Sequence, residues 1–186
     1  MGYYVISSSM FETFYPGNYV DSAYGIPYEK LYERGYRGII FDVDNTLVPH
    51  GAPADAQAIE LFERLRRIGF STCILSNNKE PRVSPFADKV GSPYIFKGGK
   101  PSRKGYERAM ERMNTDRDTT FFVGDQLFTD VWGANRTGLY SILVKPINPK
   151  EEIQIVLKRY LEAVVLLFYR KWLKKMDRTS GDFCKK

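Results

Sequence analysis

Phe41-Asp-Val-Asp-Asn-Thr-Leu47 is the stretch whose reading decides the fold. It leaves a short apolar run, Arg37–Phe41, in which Ile39, Ile40 and Phe41 stand in a row. Such a run predicts a strand covered on both faces. In extended chain, side chains at i and i+2 point the same way, so Asp42 and Asp44 can share one site. Two carboxylates that close repel each other unless a cation stands between them or one takes a proton.

Outward from this stretch, the runs Phe70–Leu75, Tyr94–Phe96, Thr119–Val123 and Tyr140–Val144 predict four more strands. Segments of helical period separate them. Pro53–Ile68 puts Ala58, Leu61, Phe62, Leu65 and Ile68 on one face, and Gly69 can close it. A short helix fits between Ser76 and Tyr94. Ser102–Asn114 repeats the pattern with Tyr106, Ala109, Met110 and Met113, with Ser102 as the expected N-cap. A shorter helix over Val131–Thr137 should stop at Gly138, and a last one should run from after Pro149 to Met176. This alternation predicts an α/β chain with a doubly wound parallel sheet. The expected organisation is an N-terminal arm over 1–36 packing on the core, a catalytic core over 37–150, and an amphipathic basic helix with a short tail over 151–186.

In an open parallel sheet the carboxyl ends of all strands share one edge, where ligands bind. Asp42 and Asp44, Ser76-Asn-Asn78 and Gly124-Asp125 all follow predicted strands, so they converge there, and Lys100 can reach the same edge. Carboxylates at 42, 44 and 125 without a histidine ligand favour a hard, oxygen-loving cation, with Mg²⁺ the natural candidate. Lys100 and the Ser76 hydroxyl suit a bound anion, most simply a phosphate. Each piece alone has an ordinary reading. Asp-Asn-Thr is turn composition, Ser-Asn-Asn a loop and Gly-Lys-Pro a bend. Gly98-Gly-Lys100 is no Walker A loop, because position 94 is Tyr. All four in this order, each at a strand end or in the following loop, point to function.

Composition narrows the class. With 186 residues, 43% hydrophobic and 27% charged, the chain is neither disordered nor low-complexity. Cys73, Cys184 and the single His50 cannot make a zinc site or a disulfide scaffold, so a reducing compartment is expected. There is no apolar run of 18 residues, and Met1-Gly-Tyr-Tyr-Val-Ile has neither a charged n-region nor an apolar h-region. A cytoplasmic protein is expected. Of the net charge of +6, residues 151–186 carry +4, so a polyanionic partner should meet the tail first. No nucleic-acid partner is expected.

The order Asp42-x-Asp44-x-Thr46, Ser76-Asn77, Lys100-Pro101, Gly124-Asp125-x₄-Asp130 resembles the four motifs of the haloacid dehalogenase superfamily. Asp44-Asn-Thr-Leu-Val48, Gly124-Asp-Gln-Leu-Phe-Thr-Asp130 and Asn135-Arg136 resemble its YqeG-type subfamily, class IIIA, as do Pro16-Gly-Asn-Tyr19 and Leu31…Gly35 upstream. Phe128 and Trp132 are bulkier than that pattern leads one to expect. The resemblance spans Tyr15 to Pro146 and implies a Mg²⁺-dependent phosphomonoester hydrolase working through an aspartyl-phosphate. It makes Asp42 the nucleophile and Asp44 the acid and base. Mg²⁺ would be held by Asp42, Asp125 and the backbone carbonyl of Asp44. Ser76, the Asn77 amide and Lys100 would bind the phosphate, with Lys100 also offsetting charge in flight. Asp130 and Thr46 are expected behind them, Asp130 orienting a metal-bound water or Lys100, or merely capping a helix.

The subfamily includes phosphatidylglycerophosphate phosphatases of the mitochondrial kind, which implies a membrane lipid phosphate as substrate. A phosphatase of soluble sugar or nucleotide phosphates and a non-catalytic metal-binding regulatory module are the alternatives. Asp42 to Ser76 is 34 residues and Ser76 to Lys100 is 24, too few for a cap domain in either gap. His50 lies in the loop after the first motif, where it can touch substrate or stay solvated. In the last helix, Ile153, Val156, Leu157, Tyr160, Leu161 and Val164 form a stripe expected to dock on the sheet. Ala163–Tyr169 is apolar all round and Arg170-Lys-Trp-Leu-Lys-Lys175 follows. That pairing suits either peripheral contact with an anionic membrane, on its inner face, or packing on the domain or a partner. The first 30 residues hold eight of the 27 aromatics, expected to pack over the sheet.

Overall fold

A computed structural model describes residues 11–148 and 153–176, and the side chains of all of these except 153–159. Six strands form one all-parallel sheet: β1 Asn18–Val20, β2 Gly38–Phe41, β3 Ser71–Leu75, β4 Tyr94–Ile95, β5 Thr120–Gly124 and β6 Tyr140–Val144. Their order across the sheet is β1-β6-β5-β2-β3-β4. The expected parallel α/β sheet is therefore present, with one strand more than the five expected. β1 pairs in parallel with β6, Tyr19 beside Leu143. Three residues, Asn-Tyr-Val, are too few to show a period, which is why the hydrophobic pattern missed it.

The helices are α1 Tyr28–Glu33, α2 Ala56–Ile68, α3 Glu80–Val90, α4 Arg103–Met113, α5 Trp132–Thr137 and α6 Ile153–Lys175. α2 begins where the Asp55 side chain accepts the Ala58 N–H at 2.8 Å. It ends at Gly69, whose φ of 109° turns the chain out of the helix. Ser102 occupies the N-cap position of α4, but its side chain makes no capping hydrogen bond. Between Asp42 and Ser76 the chain holds only a loop, α2 and β3, and between Ser76 and Lys100 only α3 and β4 with their loops.

Alternation along the central strands sorts the core into two layers. Ile39, Phe41, Phe121 and Val123 face one cluster with Tyr28, Phe62 and Phe70. Ile40 and Phe122 face the other with Tyr106 and Met110. A third cluster covers the β6 side, where Tyr15, Leu127, Val131 and Leu143 receive Val165, Tyr169 and Leu173 of α6. Phe14 lies between Phe128 and Trp132, with ring centroids at 5.3 and 5.4 Å, so the two bulky residues make a seat for the arm. Among the arm's aromatics, Tyr15 and Tyr28 are buried, whereas Tyr3 and Tyr4 lie outside the described residues.

The docked face of α6 is not the expected one. Tyr160, Leu161 and Val164 are exposed, and Glu162, Val165, Tyr169 and Leu173 face inward. The side chains of Ile153, Val156 and Leu157 lie outside the described residues. A buried acid turns the helix: Glu162 Oε1 accepts the Leu127 N–H at 2.8 Å, which places Leu161 and Val164 on the outer side. Hydrophobic periodicity scores Glu162 as a surface residue and so picks the wrong face.

Candidate active site

The loop after β2 is wound tightly around one carbonyl. Val43 O accepts the N–H groups of Leu47 at 2.9 Å, Thr46 at 3.2 Å and Val48 at 3.3 Å, and Asn45 adopts a left-handed φ of 60°. Asp42 N–H donates to Val123 O at 2.9 Å, which extends the β2–β5 pairing by one residue and sets Asp42 beside Gly124-Asp125. The chain then enters a π-helical turn, Leu127–Val131, that swings Asp130 back over the same strand end. Asp130 Oδ2 accepts the Gln126 N–H at 3.0 Å. Gly124 makes room for this return, since a Cβ there would lie 2.5 Å from Asp130 Oδ2.

Asp42, Asp125 and Asp130 thus meet, each with a carboxylate oxygen within 4.8 Å of the others', and all are buried. Lys100 Nζ enters the cluster at 2.6 Å from Asp42 Oδ1 and 2.7 Å from Asp130 Oδ1. Burial pushes the Asp42 carboxyl up to about 7; the Lys100 ammonium pulls it down, while Asp130 and Asp44 push it further up. Burial works against the charge on Lys100, but Asp130 and Asp42 outweigh it and hold its pKa above the ordinary lysine value. Three acids face one ammonium, so the cluster carries surplus negative charge in a dry setting. An oxygen-only donor set with that surplus fits a hard divalent cation. Thr46 Oγ1 donates to Asp125 Oδ1 at 3.4 Å and steadies it from behind.

The Asp44 carboxylate faces away from this cluster. Its Oδ1 accepts Gly51 N–H at 2.8 Å and the Arg82 guanidinium at 2.7 Å from Nη2 and 3.2 Å from Nε. Its Oδ2 accepts Asn78 Nδ2 at 2.7 Å. His50 Nδ1 stands 3.9 Å from Oδ1 on a largely exposed ring. Ser76 is buried at the end of β3, and its Oγ accepts the Asn78 N–H at 3.2 Å. The Asn77 side chain closes a reciprocal pair with the Lys100 backbone, accepting its N–H at 2.8 Å and donating to its carbonyl at 3.0 Å. It therefore sets the position from which Lys100 reaches inward. Sequence reasoning placed Asp44, Ser76, Asn77, Asn78 and Lys100 at this edge and missed the Asp44 partners Gly51 and Arg82. The one available signal was a basic residue in the first turn of the helix after Ser76-Asn-Asn78, a place where acids are the rule.

Comparison with known proteins identifies the family. The HAD-hydrolase-like family profile matches residues 98–147. The chain is 40% identical over 154 residues to the probable phosphatase YqeG of Bacillus subtilis (strain 168), covering 82% of this chain and 90% of that one. It is 25% identical over 160 residues to phosphatidylglycerophosphate phosphatase 1, chloroplastic/mitochondrial, of Arabidopsis thaliana, covering 81% of this chain and 45% of that protein. Among solved structures, an uncharacterized protein from Listeria monocytogenes serotype 4b superposes with a TM-score of 0.50 at 19% identity, over 63% of this chain and 84% of that one, a likeness of fold. With strand-end carboxylates and a buried lysine brought together as described, and that level of identity along nearly all of YqeG, the chain belongs to the YqeG-type phosphatases of the haloacid dehalogenase superfamily, which are phosphoric monoester hydrolases.

Proposed function

We propose that this phosphatase is Mg²⁺-dependent, works through an aspartyl-phosphate on Asp42, and acts on a membrane lipid phosphate of the phosphatidylglycerophosphate kind. The observation that carries the chemistry is the Asp42–Lys100–Asp130 chain, in which a buried ammonium touches two carboxylates at 2.6 and 2.7 Å. Asp42 Oδ attacks phosphorus, and the bond to the leaving alcohol breaks as the Asp42–phosphorus bond forms. Asp44 gives the leaving oxygen its proton and later takes one from the water that hydrolyses the acyl-phosphate. Ser76 Oγ and the Asn77 amide hold phosphate oxygens, and Lys100 offsets the charge accumulating on them. Asp130 keeps Lys100 aimed, and Thr46 keeps Asp125 in place. Mg²⁺, held by Asp42, Asp125 and the Asp44 carbonyl, would neutralise charge on the phosphate.

The lipid substrate is supported by the Arabidopsis relative's name and by the outer face of α6. Leu161, Val164 and Leu167 are about half exposed there, and Arg170, Lys171, Lys174 and Lys175 follow, all exposed. No helix of the described residues is long and apolar enough to cross a membrane, and the outer face of α6 offers a surface for peripheral contact. The deciding experiment is a phosphate-release panel with Mg²⁺. It compares phosphatidylglycerophosphate in anionic vesicles with glycerol, sugar and nucleotide monophosphates. The lipid should be preferred by kcat/KM. Equal or better turnover of a soluble ester moves the substrate to that class, and no turnover of any ester ends the catalytic reading.

A further inference from the structure

The four donors on Asp44 raise a difficulty that also suggests its solution. Gly51 N, both Arg82 donors and Asn78 Nδ2 engage the two oxygens of this carboxylate. A side chain gripped on every side cannot also turn to a leaving oxygen. Of the four donors, only the Arg82 pair sits on a long, partly exposed side chain able to move as a unit; its side chain is 21% accessible. Arg82 therefore needs something else to bind when Asp44 is at work, and a guanidinium fork is suited to a planar or phosphate-like anion.

The surroundings say where that anion comes from. Arg82 lines a groove of about 330 Å³ beside the loop that carries Gly51. Pro53, Ala54, Pro81 and Pro85 give it short apolar walls, and Lys89, one α-helical turn beyond Pro85, adds a second cation. Among the described residues no Asp or Glu lines it, and nearby Asp55 is committed to the Ala58 N–H. The groove is thus an uncapped, cationic, aliphatic slot next to the group that must meet the leaving oxygen. An unadorned alcohol would leave Arg82 on Asp44.

We propose that Arg82, with Lys89 beside it, recognises a second anionic group carried on the leaving alcohol, and that its transfer to that group releases Asp44 toward the leaving oxygen. The substrate class is a phosphomonoester whose short aliphatic alcohol bears a further phosphodiester or phosphate. Arg82 is a specificity-determining and positioning residue of this reaction. This rests on the reading of Asp44 as the acid, and it adds a reason for substrate choice that the shared motifs do not contain. Both a lipid headgroup and a soluble bisphosphate carry the chemistry, and the arms of the test separate them.

The test compares steady-state kinetics of wild type, Arg82→Gln and Arg82→Lys with Mg²⁺ on three esters. These are glycerol 3-phosphate, deacylated phosphatidylglycerophosphate and the intact lipid in vesicles. Circular dichroism and thermal melting confirm that each variant is folded. Wild type should prefer the deacylated two-anion ester over glycerol 3-phosphate by about tenfold or more in kcat/KM, as expected for charge-assisted hydrogen bonds. Arg82→Gln should collapse that ratio to within about twofold, by raising KM for the two-anion ester and by raising kcat on glycerol 3-phosphate, since Arg82 no longer holds Asp44, and Arg82→Lys should restore part of it. An equal fall on both soluble esters would overturn the proposal, leaving Arg82 as a support for Asp44 alone. A wild-type preference that appears only with the intact lipid would overturn it too, because acyl chains and not the second anion would then be read. If wild type hydrolyses the soluble esters without preference, this inference fails and the phosphatase chemistry stands. If it hydrolyses none of the three, both fall together.

Discussion

Asp42 is asked to be a charged nucleophile in a place where charge is costly. Its carboxyl rises from the ordinary 3.8 to about 7, mainly through burial. A folded-state pKa above the unfolded value means that the folded protein holds the proton more tightly. The stability this confers is fully present below about pH 4 and is lost as pH rises through 7. Without divalent metal, the melting temperature should therefore fall between pH 5 and 8, and added Mg²⁺ should raise it more at pH 8 than at pH 5. Asp42→Asn should flatten the metal-free profile and abolish hydrolysis while keeping the fold. A metal-free profile unchanged by that substitution would show that Asp42 is not the group titrating. Gly124 supplies a second test at this scale. Gly124→Ala drives a methyl into Asp130 Oδ2 and the Phe122 ring, at 2.5 and 2.6 Å. The expected cost is about 1–3 kcal/mol of stability by urea unfolding. Activity should drop alongside, because Asp130 can no longer stay on Lys100.

Among the elements, α6 does more for the site than a solvated tail would. Glu162 is the acceptor for Leu127 N–H at the mouth of the π-helical turn that delivers Asp130. Removing the acceptor leaves a buried N–H without its partner, at a cost of about 1–3 kcal/mol. Glu162→Ala should lower the urea midpoint by that amount and reduce kcat, and Glu162→Gln, which keeps a carbonyl oxygen, should recover most of both. Destabilisation with kcat unchanged would mean that the turn holds its shape without α6. The same residue marks the limit of what the sequence disclosed. The strands β2, β3, β5 and β6 were legible because their apolar runs are of strand length and alternate with segments of helical period. Asp42, Ser76, Lys100 and Asp125 were legible because polar residues at parallel strand ends must converge. The inward face of α6, the short β1 and the Arg82 grip on Asp44 were not legible. Each depends on a contact between segments far apart in sequence: Glu162 with Leu127, Asn18 with Ile142, and Arg82 with Asp44. None leaves a local period.

At the scale of the whole molecule, α6 packs along the β6 side of the sheet. Glu162 reaches the strand-end edge at Leu127, and ten residues on, about 15 Å at the helical rise, Trp172 meets Tyr15 near the start of β6. Its outer face carries Leu161, Val164 and Leu167 first and the basic residues after them, with Arg170 beside Val20, Asp21 and Lys145 at the carboxyl ends of β1 and β6. Apolar residues at one end and cations along the rest suit a helix lying in an anionic interface, where each basic residue is worth about 1 kcal/mol. Salt screens such contacts, since the Debye length is about 8 Å at physiological ionic strength. Binding to anionic vesicles, read by co-sedimentation, should weaken as salt rises, and should weaken again when Arg170, Lys171, Lys174 and Lys175 are all changed to Glu. These four side chains are exposed and make no contact with the Asp42 cluster, so hydrolysis of glycerol 3-phosphate by the variant should match wild type. Leu167→Ser should weaken vesicle binding at high salt as well, because the apolar contribution is not screened. If the four-Glu protein binds vesicles as well as wild type does and hydrolyses the lipid phosphate at the same rate, α6 is a structural flank of the domain and the membrane is reached by another surface.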